Sequence, residues 1–322
     1  AIKAPAAQPL STGASLTVTI HQLGRWRAHQ LIPQVAKLAW PLAWLLGAAV
    51  AAAQPVAAPP PSASASALTV LCSAQKAWCE RMGQAYQEET GQAIQMVPLS
   101  TGSALSRLEA EKAKPTVDVW WGGTGELHLQ AAAQGLTVAR KSHRLADLHP
   151  WAQRFAWVSG YRSVGIYTGI LGYTYDTEAW ASTGLPAPRC WADLLRPALQ
   201  GRIQIADPRT SGTAYTFLTT QLQLRKLSGG WPWLQAFHSQ VGAYTRSGSA
   251  PIQAVRKGEA LVGVVFLHDA IAAASEDEAS TGTPAKLATV APCEGTGYEI
   301  GGMSLVLNGP NLNLLGSREP DI

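Results

Sequence analysis

Between Leu68 and Gln134 three short apolar runs alternate with three amphipathic stretches, and this alternation limits the possible folds more than any other feature. LTVLC (68–72) reads as a buried strand and Gln75–Thr90 as an amphipathic helix stopped by Gly91. AIQMVP (93–98) reads as a second strand, followed by a helix over Ser103–Lys114. VDVWWGG (117–123) is a third strand leading to a helix over Glu126–Gln134. A β-α-β-α-β-α order argues for a parallel sheet with helices on both faces. Such sheets take ligands at the carboxyl ends of their strands, where Ser73, Ser100–Ser103 and Gly122–Gly125 fall.

The pattern continues beyond a middle section. VGIYTGILGYTYDT (164–177) is rich in β-branched and aromatic residues, and RIQIAD (202–207) is a further strand. DPRTSGTAY and a helix over Ala214–Leu227 follow it. LVGVVFLHDA (261–270) reads as a long buried strand that ends in His268 and Asp269. The expected fold class is therefore α/β with two lobes. With 322 residues, 47% of them hydrophobic, the chain can bury one or two cores.

Charge is distributed unevenly. Residues 1–53 hold Lys3, Arg25, Arg27 and Lys37 and no acidic residue, so the remainder carries 21 Lys+Arg against 21 Asp+Glu. A neutral body without a basic cluster argues against nucleic-acid binding. Arg25, Arg27 and Lys37 precede the apolar run Leu38–Ala53, which ends in small residues, and Ala51-Ala52-Ala53 fits a signal-peptidase site. The run contains Pro41 and falls short of the roughly 20 apolar residues of a spanning helix. An exported, periplasmic protein is expected, processed near Ala53, with an uncleaved anchor as the alternative. A Pro/Ala/Ser linker follows over residues 54–67. Cys72, Cys79, Cys190 and Cys293 suit one or two disulfides in an oxidising compartment, with three connectivities open. No C-x-x-C or H-x-x-x-H spacing supports a zinc site, and neither a metal nor a cofactor is expected.

Two stretches share one design. Ser100-Thr101-Gly102-Ser103 and Thr210-Ser211-Gly212-Thr213 each place hydroxyls around a glycine at a helix start. The first N–H groups of a helix lack intrahelical partners and the dipole is positive there, so an anion can be held. Ordinary N-capping is the competing explanation. Thr124, in Trp121-Gly122-Gly123-Thr124-Gly125, belongs to a third small-residue loop that lacks dinucleotide or Walker spacing. His268 and Asp269 suit a satisfied core pair, a helix N-cap (Asp269 before AIAAA), or hydrogen bonds to sugar hydroxyls or an amine. Glu294, in PCEGTGYE, is a similar candidate. No catalytic triad, Cys-His pair or carboxylate pair stands out.

Assembled, these segments resemble the solute-binding proteins of ABC importers for iron(III), 2-aminoethylphosphonate or sugar phosphates. The resemblance runs from about Leu68 to Ser304. It is carried by VLCSAQKAWCERM (70–82), DVWWGGTGELHLQAA (118–132), YRSVGIYTGILGYTYDTE (161–178) and LPAPRCWADLL (185–195). ADPRTSGTAYT (206–216), YTRSGSAP (244–251), GVVFLHDA (263–270) and APCEGTGYEIGGMS (291–304) complete it. It implies a type 2 periplasmic-binding-protein fold, its two lobes interleaved near residues 160–180 and 265–295, with a small anionic ligand between them. It also implies ligand contacts at Ser73, Thr101, Gly102, Ser103, Thr124, Ser211, Gly212, Thr213, His268, Asp269 and Glu294. An inner-membrane ABC permease would be the partner, and a monomer is expected. Iron-binding relatives use adjacent tyrosines, whereas Tyr215 and Tyr244 stand alone here, so phosphate or phosphonate suits the hydroxyl-rich loops better than ferric ion.

The end of the chain departs from this pattern. The family's C-terminal helices do not follow GGMS. Instead MSLVLNGPNLNLLGSREPDI (303–322) resembles the opening of a type II 3-dehydroquinate dehydratase, with Asn308, Asn311 and Arg318 on its first motifs. The rest of that enzyme is absent, so binding without catalysis is the expectation and dehydration the alternative.

Overall fold

The computed structural model describes residues 67–311. The chain divides into two units, Ala1–Ala58 and Pro59–Ile322, and every described residue lies in the second. The basic leader, its cleavage site, the linker as far as Ser66 and Arg318 lie outside the described residues.

The first three strands and helices follow the expected alternation: β1 (Leu68–Cys72), α1 (Lys76–Thr90), β2 (Ile94–Pro98), α2 (Thr101–Ala110), β3 (Val119–Thr124) and α3 (Gly125–Ala133). β1 pairs in parallel with both β2 and β3. Gly91 ends α1 in the left-handed region, φ 66°, where its N–H closes on the Gln87 carbonyl at 2.8 Å. After α4 (Pro150–Val158) comes β4 (Val164–Asp176), a thirteen-residue strand that joins the two halves of the sheet. Its Val164–Ile170 stretch pairs with β9 (Tyr298–Leu305), and Leu171–Asp176 pairs with β7 (Val262–Phe266) and β8 (Leu287–Val290).

The second half comprises α5 (Thr177–Ala181), β5 (Ile203–Ala206), α6 (Gly212–His238), β6 (Val241–Thr245), α7 (Ala250–Arg256), β7, α8 (Leu267–Thr281) and β8. β5 lies parallel to β6 and β7. Among the described residues nine strands share one mixed sheet in the order β2-β1-β3-β9-β4-β7-β5-β6, with β8 on β4. Only the two outer portions are parallel; β4, β8 and β9 run antiparallel to their partners because the chain crosses between lobes along them.

Three of the boundaries that differ from expectation bear on the site. α2 begins at Thr101, so Ser100 becomes its cap. α6 begins at Gly212 and continues to His238, broken at Lys226 (φ 56°, ψ 166°), just before Ser228-Gly229-Gly230 and Pro232, residues of poor helix propensity. β7 stops at Phe266, and His268 and Asp269 fall in the first turn of α8 rather than in a strand.

Each half has its own core. Leu71, Ala104, Val117, Trp120 and Ala131 form one; Leu171, Tyr173, Trp191, Leu194, Leu199, Ile203 and Val264 form the other. Cys72–Cys79 ties the end of β1 to the first turn of α1, and Cys190–Cys293 ties the segment before Trp191–Leu195 to the loop ahead of β9. Asn311, matched above to an enzyme motif, serves packing here: its N–H donates to Asp118 Oδ1 at 2.6 Å and its side-chain amide to Ala67 O and Asp118 Oδ2.

Candidate functional site

Six helix starts converge on one cavity of about 320 Å³, a size suited to a small metabolite. They belong to α1, α2, α3, α6, α7 and α8, whose N-cap residues are Gln75, Ser100, Thr124, Ser211, Ser249 and Phe266. All six residues line the cavity. None makes a side-chain capping bond to its own helix. Ordinary N-capping therefore does not explain the hydroxyls of Ser100, Thr124 and Ser211. At α7 the Ala250 and Ile252 N–H groups donate to the Ser247 and Ser249 carbonyls and Pro251 has none, and in α2 the Gly102 N–H donates to the Thr210 carbonyl.

Of the residues expected in the site, Ser73, Thr101, Thr124, Ser211, Thr213, His268 and Asp269 line the cavity. Thr124 Oγ1 is buried without a partner. Ser73 Oγ accepts from Trp120 Nε1 at 2.9 Å, which orients it. Gly102, Ser103 and Gly212 are not part of the lining; Ser103 Oγ accepts from Ser100 Oγ, and the two glycines lie at the seam between the lobes. Glu294 also falls outside the lining. Its two oxygens accept from the N–H groups of Trp191 (2.7 Å) and Ala192 (2.9 Å), capping the turn Trp191–Leu195 beside the Cys190–Cys293 disulfide.

The carboxylate that faces the cavity besides Asp269 is Glu299, on β9 and only 3% exposed. Its Oε1 lies 3.9 Å from His268 Nε2, which Asp269 Oδ1 approaches at 3.2 Å. Burial first, then the nearby Asp269 and Glu126, holds the Glu299 carboxyl well above the usual carboxylate range. Gly169 makes room for this cluster: a Cβ there would sit 2.5 Å from His268 Cε1 and 2.9 Å from Glu299 Oε1. His268 Nδ1 is buried without a hydrogen-bond partner.

Aromatic rings complete this end. Trp78 stacks on His268 at 5.2 Å and meets Tyr167 edge-on at 5.4 Å. Tyr167 Oη accepts from the Gly123 N–H at 3.0 Å, while burial and then Glu299 push its phenol upward in pKa. Gln75 Nε2 donates across the cleft to the Asp269 carbonyl at 3.1 Å.

The cavity is thus two-ended. One end presents uncapped helix starts with Thr101, Thr124, Ser211, Thr213, Ser247 and Ser249; the other presents Gln75, Trp78, Tyr167, His268, Asp269 and Glu299. Among the described residues, Lys76 is the one Lys or Arg in the lining. Ser247-Gly248-Ser249 repeats the hydroxyl–glycine–hydroxyl pattern of the two stretches singled out in the sequence, a signal sufficient to have included it. Glu299 had no such signal, since its side chain is aimed by the sidedness of β9, while Glu294 lies in the loop ahead of that strand.

Tyr215 and Tyr244 are half-exposed and do not line the cavity. Cys190, Cys293 and Glu294 form a close group, but the two sulfurs are bonded to each other.

A family model described as bacterial extracellular solute-binding protein matches residues 114–306. An uncharacterized protein of Haemophilus influenzae is 39% identical over 247 residues, 76% of this chain and 69% of its own. Among solved structures, the periplasmic binding protein AfuA from Actinobacillus pleuropneumoniae, with exogenous fructose-6-phosphate bound, is 38% identical at a TM-score of 0.71, covering 77% of this chain and 76% of that one. The periplasmic binding protein P5PA is 32% identical at a TM-score of 0.70, covering 76% of each chain.

Proposed function

Because the chain belongs to the bacterial extracellular solute-binding proteins, we propose that it captures a small phosphorylated or phosphonate anion between its lobes for an inner-membrane ABC permease, without chemistry of its own. The observation that carries this reading is that the starts of α2, α3 and α6, none with a side-chain cap, meet on one cavity together with Ser247 and Ser249 ahead of α7. Phosphoryl oxygens accept from several N–H and O–H donors at once, and the aligned peptide dipoles offset their charge. The hydroxyls of Thr101, Thr124, Ser211 and Thr213 extend that donor set.

The opposite end suits the remainder of such a molecule. Asp269 offers an acceptor, and Glu299, its carboxyl held above the usual carboxylate range, offers a donor when protonated, so together they match hydroxyls that do both. Trp78 supplies an apolar face for a sugar ring or carbon chain. Fructose-6-phosphate, the molecule bound to AfuA, has this two-ended chemistry. Ferric ion is a poorer match, since hard cations call for several anionic oxygens and the two tyrosines considered for that role lie outside the lining.

Export by a leader cleaved near Ala53 accompanies this reading, and mass measurement of the mature chain from the periplasm should place the new N-terminus there. Dehydration of 3-dehydroquinate has no part in it: Asn311 holds Asp118, and the purified protein should show no turnover above background. Native mass spectrometry of freshly purified protein tests the capture directly. A bound mass matching a phosphorylated or phosphonate metabolite is expected; a neutral sugar or ferric ion in its place would overturn the proposal.

A further inference from the structure

We infer that Gly102 and Gly212 are the contact points at which the two lobes close, and that their missing side chains set how far the cleft can shut. This rests on the reading of the cleft as a ligand site. The glycines come from opposite lobes, and each meets the other lobe at a helix start. The Gly102 N–H donates to the Thr210 carbonyl at 2.9 Å. A Cβ on Gly102 would lie 2.8 Å from Arg209 O and 2.9 Å from Thr210 Cα, both backbone atoms that cannot swing aside. A Cβ on Gly212 would lie 2.2 Å from Thr124 Oγ1, 2.5 Å from its Cγ2 and 2.9 Å from its Cβ.

Neither glycine has a positive φ, so the local backbone does not require glycine at either place. Both sit in the first turn of a helix, α2 and α6, where alanine is at least as favourable. Neither lines the cavity, so approach of an anion does not require them either. What each position cannot accommodate is the opposing lobe. The glycine in each hydroxyl-rich stretch thus serves the seam, while the flanking hydroxyls of Thr101, Ser211 and Thr213 serve the cavity.

The test reads interlobe distance apart from affinity. All four native cysteines are disulfide-bonded, so Cys introduced at the exposed positions Gln87 (α1) and Gln235 (α6) carry spin labels alone. In the otherwise unaltered chain, a short distance should grow at the expense of a long one as fructose-6-phosphate is added. Gly102→Ala and Gly212→Ala should lack the short distance at every concentration and bind at least about tenfold more weakly. Their melting temperature without ligand should stay at or above the original value. Adding Thr124→Gly to Gly212→Ala removes the three atoms in its way and should restore the short distance.

Alanine variants that reach the original short distance and bind within about twofold overturn the inference. So does a parent protein with a single distance in all conditions, or a failure of Thr124→Gly to restore closure. Absence of fructose-6-phosphate binding, with the short distance still present in the ligand-free parent and lost in the alanine variants, supports the inference and tells against the sugar-phosphate reading instead.

Discussion

Glu299 on β9 and His268 on α8 face each other at 3.9 Å, Oε1 to Nε2, and Asp269 Oδ1 reaches the same nitrogen at 3.2 Å. Two carboxyls and one imidazole therefore share a wall of the cleft into which no Arg or Lys projects from β4, β9 or α8. Tyr167 on β4 and Glu126 on α3 are the other titratable groups acting on this cluster.

The first prediction follows from the raised Glu299 carboxyl. A group whose folded pKa exceeds its unfolded value stabilises the fold fully below the unfolded pKa, and that contribution is lost as pH rises through the folded value. Glu299→Gln mimics the protonated acid at all pH. The melting temperature of the variant relative to the parent should therefore increase as pH rises above the ordinary carboxylate range, near 4.5. A difference that stays flat as pH rises would contradict the assignment.

His128 predicts the opposite slope. It is fully buried, stacked on Trp120 at 3.8 Å, with Nδ1 2.8 Å from Ser304 Oγ and Nε2 3.1 Å from the Gly122 carbonyl. Burial lowers its pKa from 6.5 to about 4, against the opposing pull of the Gly122 carbonyl. The neutral ring's contribution is present above 6.5 and lost as pH falls toward 4, roughly 3 kcal/mol in all. Urea unfolding at a series of pH values should show this loss in the parent and its absence in His128→Gln. Equal slopes would count against it.

Asp269 and Glu294 should separate cleanly although both were candidates from sequence. Asp269→Asn should weaken ligand binding and leave stability nearly unchanged. Glu294→Gln removes the charge from two hydrogen bonds to backbone N–H groups and should cost about 1–3 kcal/mol of stability with affinity unaltered. Calorimetry and denaturant unfolding on both variants decide it; the reverse pattern would exchange their roles.

Legibility in the sequence tracked how local each determinant is. β1 and the alternation through α3 were readable because strand and helix periods are short-range, and Gly91 marks its own helix end. The hydroxyl-rich stretches were readable because hydroxyl, glycine and strand end lie within a few residues. The end of β7 was hidden, because Leu267 continues the apolar run while the backbone has already turned into α8. The exchange of Glu294 for Glu299 was hidden for a different reason. Glu294 sits in the loop ahead of β9 among small residues, whereas Glu299 lies between Tyr298 and Ile300, and only the pairing of β9 with β3 and β4 turns it toward the cleft. The opposing contacts of Gly102 and Gly212 depend on residues about a hundred positions away and leave no local trace.

The most direct test of the central claim is calorimetric titration of ligand-stripped protein with fructose-6-phosphate, 2-aminoethylphosphonate, inorganic phosphate, neutral fructose and ferric citrate, repeated on Thr213→Val. That variant keeps the side-chain shape and removes one donor to the anion, an effect of about 1.5–3 kcal/mol. The account predicts binding of at least one phosphorylated or phosphonate ligand, weakened at least about tenfold by Thr213→Val, with neutral fructose bound far more weakly. Tight binding of neutral fructose or of ferric ion, indifferent to Thr213→Val, would contradict it.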